Sequence, residues 1–143
     1  MKAAAATGSM NSLIRLSRLV FRRASEDVIG IRLKQLIALD YLREQGGSSQ
    51  QQLGQTLMLD PNNCVILLND LEQEGYVERR RDPSDRRRHM VEMTDAGRGA
   101  LERAEEKLET LEEDVLGKLS ADERSTLREL MVKALEGCEF RGA

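Results

Sequence analysis

The side chains with most to offer chemically in this sequence are basic and amide groups, not nucleophiles. Six arginines, Arg79, Arg80, Arg81, Arg86, Arg87 and Arg88, lie between Tyr76 and Met90, offset only by Glu78, Asp82 and Asp85, a local balance of +3. Guanidinium groups grip phosphate oxygens in a fork geometry and are drawn to the narrow minor groove of A·T-rich duplexes. By itself such a run is more simply a solvated charged loop, so its meaning depends on its neighbours. Upstream, Asn62 and Asn63 open a predicted helix. Asparagine pairs bidentately with adenine N6 and N7, although two asparagines at a helix start also serve as caps or plain surface. Ser49 and Gln50, at the start of the preceding predicted helix, are suited to donating to phosphate oxygens, a contact that positions a protein without reading sequence.

The same inventory gives catalysis little support. His89 is the single histidine and makes no metal site or relay by itself. There is no G-x-x-x-x-G-K, H-E-x-x-H or C-x-x-C, and Gly97-Arg98-Gly99 is a weak phosphate loop inside a predicted helix start. The reading is a protein that is not an enzyme, with no cofactor and no metal. Cys64 and Cys138 make no disulfide framework and point to a reducing compartment. Cys64 reads as a small buried hydrophobe, with a redox switch as the alternative. No apolar run approaches the ~20 residues that cross a bilayer, and no leader pattern opens the chain, so a cytoplasmic protein without a membrane partner is expected.

The 143 residues suit one domain. With 3% aromatic residues, its core must be mostly aliphatic. Charge is unevenly spread beneath a net −3: residues 11–34 balance at +4 and residues 99–136 at −5. An acidic chain with a basic middle can carry a separate electrostatic footprint.

Positioning these side chains requires a particular run of elements. Residues 1–9 show no pattern and are expected to be a flexible tail. Leu13, Leu16 and Val20 mark an apolar helical stripe that Gly30 breaks, and Leu33, Leu36, Ile37, Leu39, Tyr41 and Leu42 a second helix, ended by Gly46 and Gly47. Ser49 with Gln52 opens a short helix. Asp60 and Pro61 open the next as N-cap and first helical residue, and Gly75 closes it in a left-handed cap that returns Tyr76 to Leu71. Two short helices a few residues apart form a helix-turn-helix. Residues 76–81 and 88–93 then read as a β-hairpin with an arginine-rich tip. Thr94 caps a long helix with apolar residues at 101, 104, 108, 111 and 115, a heptad-like seam expected to face a second copy of the chain. A last helix, opened by Ser120 and Glu123, carries Leu127, Leu130, Met131, Ala134 and Leu135.

This order, and above all the stretch from Leu68 to Arg98, resembles the MarR family of transcriptional regulators. The resemblance rests on Leu71-Glu72 and Gly75, on Asp85-x-Arg87 in the wing, and on Val91-x-Met93-Thr94 leading to Gly97-Arg98. It implies a mainly α fold with a small β-hairpin wing: a winged helix-turn-helix over residues 30–94, with dimerisation helices at 10–29 and 95–138. It further implies a homodimer on pseudo-palindromic double-stranded DNA, a ligand-responsive repressor released by a small molecule, with Asp85 orienting Arg87. The family often carries Thr-Arg where this chain has Val65-Ile66, so that contact is missing here. Arg15, Arg18 and Arg22 on the first helix are weak candidates for an anionic or aromatic effector. The alternatives are a coiled-coil adaptor that ignores DNA and a redox-sensing regulator using Cys64.

Overall fold

The computed structural model describes residues 8–138. The helices are α1 (Ser9–Arg23), α2 (Glu26–Ile29), α3 (Leu33–Gln45), α4 (Gln50–Thr56), α5 (Pro61–Gln73), α6 (Asp95–Glu109), α7 (Glu112–Leu116) and α8 (Ala121–Glu136). The strands are β1 (Ser48–Ser49), β2 (Val77–Asp82) and β3 (Asp85–Met93). The mainly helical winged helix-turn-helix expected from sequence is the fold observed. Of the expected tail, residues 1–7 lie outside the described residues, and Ser9 already belongs to α1.

Local chemistry sets the boundaries. The Ser49 hydroxyl accepts the Gln52 N–H at 3.1 Å, starting α4. Asp60 accepts the Asn63 N–H at 2.9 Å, and Pro61 occupies the first position of α5, where no N–H is needed. At its far end the Gly75 N–H donates to the Glu72 carbonyl and the Tyr76 N–H to the Leu71 carbonyl. This paired arrangement satisfies orphan carbonyls and needs the left-handed φ of +79° that Gly75 adopts.

Three elements depart from the sequence reading. The wing is a three-stranded sheet in the order β1-β3-β2, because Ser48 and Ser49 pair with Val91 and Met90. Two residues carry no strand periodicity, so nothing in the sequence flags β1. The single helix expected over 10–29 is two, interrupted at Ala24 and Ser25, with Glu26 and Asp27 complementing the start of α2. The long helix from Thr94 also stops early. Thr110 and Leu111 donate their N–H groups to carbonyls three residues back, and the Thr110 hydroxyl bonds the Lys107 carbonyl at 2.6 Å. That tightens the last turn and ends α6.

The last break corrects a larger expectation. Leu101 and Ala104 are fully buried and Leu111 nearly so, in the same cluster as Leu39, Leu42, Leu53, Leu68, Leu71, Val77 and Val91. The seam of α6 therefore faces its own subunit, not a partner. Arg43 reinforces the packing with a bidentate pair to Glu105 (2.6 and 2.7 Å) while also reaching Asp40 at 2.7 Å. Among the described residues the arms carry most of the large exposed apolar side chains, Met10, Leu13, Ile14 and Phe21 on α1 and Leu130, Met131, Val132 and Leu135 on α8, with Val28, Ile37, Met58, Val65 and Ile66 exposed elsewhere.

The start of α6 packs directly on the entrance to the wing. A Cβ at Gly97 would overlap the Tyr76 carbonyl oxygen and press on Met93. Gly97→Ala is expected to destabilise the fold by about 2 kcal/mol or more, the scale of overpacking against backbone. Met58, exposed in the turn between α4 and α5, holds a left-handed φ of +58°. Met58→Gly should instead add about 0.5 kcal/mol, the relief of strain less the entropy glycine adds to the unfolded chain. Urea unfolding midpoints check both.

Candidate nucleic-acid interface

The helix pair is packed tightly enough to act as one body. A Cβ at Gly54 on α4 would lie 3.2 Å from the Cys64 sulfur on α5, so the small residue permits the close crossing. The Cys64 thiol points to the Gln50 carbonyl at 3.7 Å. Together with Leu67, Leu68 and Leu71, Cys64 forms the buried face of α5. At about 100° per residue, Asn62, Ile66, Asn69 and Gln73 fall on the opposite, exposed face.

The two asparagines proposed as readers are not equivalent. Asn62 is exposed on the first turn of α5 with its amide open. Asn63 is also exposed, but its side-chain amide donates to Asp60 at 2.7 Å while its N–H donates to the same carboxylate. Half of its pairing capacity is committed to the cap. Ser49, expected to be a surface donor to phosphate, is 7% exposed and lies in β1 with its hydroxyl engaged as the α4 cap. The cap positions α4 and uses the hydroxyl oxygen as acceptor, leaving its O–H to donate, and Ser49 lines the same cleft as Gln50. Gln50, half-buried on the first turn of α4, keeps its side chain at the surface of a cleft.

In the wing the structure ejects the arginines from the ladder. Arg81 pairs with His89 and the next residue, Asp82, pairs with Asp85. Arg86, Arg87 and Arg88 thus stand opposite a step with no intervening residue and form a bulge at the tip. All three are exposed. Asp85 accepts the Arg87 N–H at 3.0 Å and its side-chain Nε at 3.4 Å, the orienting contact expected from sequence. At the turn, the Ser84 hydroxyl and N–H both donate to Asp82, and those bonds hold the exposed Asp82 carboxyl below its ordinary range.

The other three arginines divide by strand alternation. Arg79 turns inward and bonds Asn69 at 2.6 Å and Glu72 at 2.8 Å, both on α5. The Glu72 carboxyl is held below its usual range, first by its bond to the Arg79 guanidinium. Arg80 pairs with Glu92 across the hairpin, and Arg81 is exposed. Asn69, Ile66 and Arg79 join the candidates: the sequence reading did not name Asn69, named Ile66 only within the Val65-Ile66 departure from the family, and named Arg79 only within the arginine run. The 3.6-residue alternation of α5 could have flagged the first two, but the clamp from Arg79 requires the strand and helix to be brought together.

The elements converge on a cleft of about 460 Å³ between α4, α5 and the wing. Gln50, Pro61, Val65, Arg87, Arg88 and His89 line it, so the α4 and wing candidates share one surface. Arg15, Arg18 and Arg22 are exposed on α1 and line neither this cleft nor a polar one of about 410 Å³ between α2, α3 and the end of α5. Among the described residues no group of three or more His, Cys, Asp or Glu side chains could hold a metal ion, and no helix is long and apolar enough to cross a membrane.

Residues 29–88 match the model of the MarR family. Over 95 residues the chain is 30% identical to YwhA of Bacillus subtilis (strain 168), an uncharacterized HTH-type transcriptional regulator, spanning 66% of this chain and 68% of YwhA. The chain belongs to the MarR family of transcriptional regulators. It is also 30% identical over 108 residues to NicR of Pseudomonas putida, an HTH-type transcriptional repressor, covering 76% of this chain and 68% of NicR. Its fold matches wild-type MarR from E. coli in the apo form with a TM-score of 0.79 at 23% identity, over 90% of this chain and 97% of that one. A cysteine-to-serine mutant of MarR from E. coli complexed with operator DNA matches with a TM-score of 0.63 at 26% identity, over 90% and 99% of the two chains.

Within this MarR-family helix-turn-helix the redox alternative has no support at Cys64. The residue is 3% exposed, and burial pushes its thiol above the ordinary range, which disfavours the reactive thiolate. Iodoacetamide at neutral pH should label the exposed Cys138 readily and Cys64 only when urea opens the fold. Mass spectrometry of the two peptides checks this, and equal labelling rates in the folded protein would contradict it.

Proposed function

We propose that this MarR-family regulator is a homodimer that binds a pseudo-palindromic duplex sequence-specifically and represses transcription until a small ligand releases it. The observation that carries the reading is the one cleft lined by Pro61 of the first turn of α5 and by Arg87 and Arg88 of the bulged wing tip, with Asn62 exposed on that same turn. A recognition helix enters the major groove by its N-terminal turn, and the wing then reaches the adjoining backbone and minor groove. Gln50, and Asn63 through its remaining amide capacity, supplement these contacts. The complex of E. coli MarR with operator DNA, and the repressor role of NicR, support the same direction.

Dimerisation is supported by the arms. α8 has no buried residue and exposes Leu130, Met131, Val132 and Leu135, while α1 exposes Met10, Leu13, Ile14 and Phe21. A second copy covers such faces in an isologous interface. The adaptor alternative relied on the 101–115 seam, of which Leu101, Ala104 and Leu111 are spent in the subunit's own core. The regulator acts in the cytoplasm, without catalysis, cofactor or metal. An anionic or aromatic effector recognised near Arg15, Arg18 and Arg22 of α1 shifts the dimer toward a spacing that no longer fits DNA.

Binding to duplex DNA should weaken steeply with salt, with a log–log slope of about −0.9 per phosphate contact. Arg86→Ala, Arg87→Ala and Arg88→Ala should each bring the slope about one unit nearer zero if that side chain meets a phosphate. A dimer in sedimentation whose DNA binding ignores salt contradicts the proposal. Arg18→Ala and Arg22→Ala should blunt the response to the effector, and a normal response in both removes α1 from its site.

A further inference from the structure

Ile66 is an unusual residue for its place. It lies directly opposite the buried face of α5, half exposed, on the same line as Asn62, Asn69 and Gln73. Val65 beside it is also exposed and lines the cleft toward Arg87 and Arg88. Flanked along this face by Asn62 and Asn69, the aliphatic side chain is left half uncovered by its own subunit. An apolar group so placed on a recognition helix has one natural counterpart in the major groove, the 5-methyl group of thymine.

The neighbouring amide sharpens the choice of base. Asn69 stands three residues on, on the same face, where side chains are neighbours. Its Oδ1 accepts the Arg79 guanidinium at 2.6 Å, and Glu72 holds the same guanidinium nitrogen at 2.8 Å. Because a guanidinium only donates, the amide is fixed with its oxygen toward the wing and its NH2 turned outward. Asn69 therefore presents its NH2 donors outward, while its oxygen, with one lone pair given to Arg79, is held toward the wing and turned away from the bidentate adenine pairing usual for asparagine.

We propose that Ile66 and Asn69 together read a thymine in each half-site, Ile66 packing on the 5-methyl group while the Asn69 NH2 donates to O4. Thymine carries these two features on adjacent ring atoms. Cytosine lacks the methyl group and presents an amino donor at the same edge, facing the Asn69 donor; guanine offers acceptors but no methyl group. Arg79 acts as a positioning residue, since it sets which end of the amide faces the base. This inference rests on the reading of α5 as the helix that enters the major groove.

The test uses the full-length protein and a duplex selected by it from a random pool. Each dT is replaced singly by dU, which removes only the methyl group, and by dC, which also replaces O4 with a donor. One thymine per half-site should show a loss of about fourfold in affinity with dU, the size set by burying one methyl group, and a larger loss with dC. Ile66→Ala, a surface change that leaves the core intact and alters both subunits, should lose about fifteenfold on the original duplex, twice the free energy of one methyl contact, and no longer distinguish dT from dU. Asn69→Ala should remove the extra penalty of dC while keeping the dU effect. The inference is overturned if every dU duplex binds wild type unchanged, or if Ile66→Ala keeps the full dU sensitivity. Failure to select any duplex overturns the DNA-binding reading itself and is distinct from either result.

Discussion

Thr94 joins segments that the chain would otherwise leave free to swing. Its hydroxyl donates to the Gly75 carbonyl at 2.6 Å, where the recognition helix ends, and accepts the Gly97 N–H at 3.0 Å, where α6 begins. Its N–H donates to the Tyr76 carbonyl at the mouth of the wing. Gly97 then allows the first turn of α6 to sit against that same carbonyl. One threonine and two glycines thus fix the angles between α5, both long strands and α6. The placement of every DNA-facing side chain depends on this joint.

From it the molecule divides into a rigid reader and projecting arms. Arg79 ties β2 to α5, Arg43 ties α3 to α6, and the aliphatic cluster beneath joins the helix-turn-helix to the base of the wing. The arms are held more lightly. Arg124 braces α8 by donating to the Leu116 and Leu119 carbonyls and pairing with Glu113, and Arg23 reaches Asp114 at 3.5 Å, while the apolar faces of α1 and α8 stay open. In the proposed dimer, grip on DNA would change through the separation of two readers rather than through rearrangement inside one. A ligand that biases the arms shifts that separation, provided it binds one spacing better than the other.

Much of this was legible in the sequence because it is encoded locally. Caps such as Ser49, Asp60, Thr94 and Ser120 announce helix starts through their own hydroxyl or carboxylate, and the left-handed Gly75 announces an end. The Asp85–Arg87 contact, which spans two residues, was implied by the family resemblance. What escaped is non-local. Two serines become a strand only because Val91 and Met90 lie alongside them. The heptad-like spacing of 101, 104, 108 and 111 is the same whether the stripe meets a partner or its own core; proximity to Leu39, Leu42 and Val91 decides, and no window of sequence contains it. The locking of Asn69 by Arg79 is non-local in the same way, whereas the commitment of Asn63 to Asp60, three residues away, is local but depends on a rotamer that residue type alone does not set.

Two copies of this rigid reader are expected to meet one duplex through the tip of α5 and the bulged wing. Sequencing of DNA fragments enriched by the purified protein tests that docking most directly. The expected product is an inverted repeat whose half-site centres lie about 10 bp apart, one helical turn of B-form DNA, flanked by A·T-rich steps where the wing arginines lie. Enrichment of no sequence, or of a single asymmetric site bound by one subunit, would contradict it.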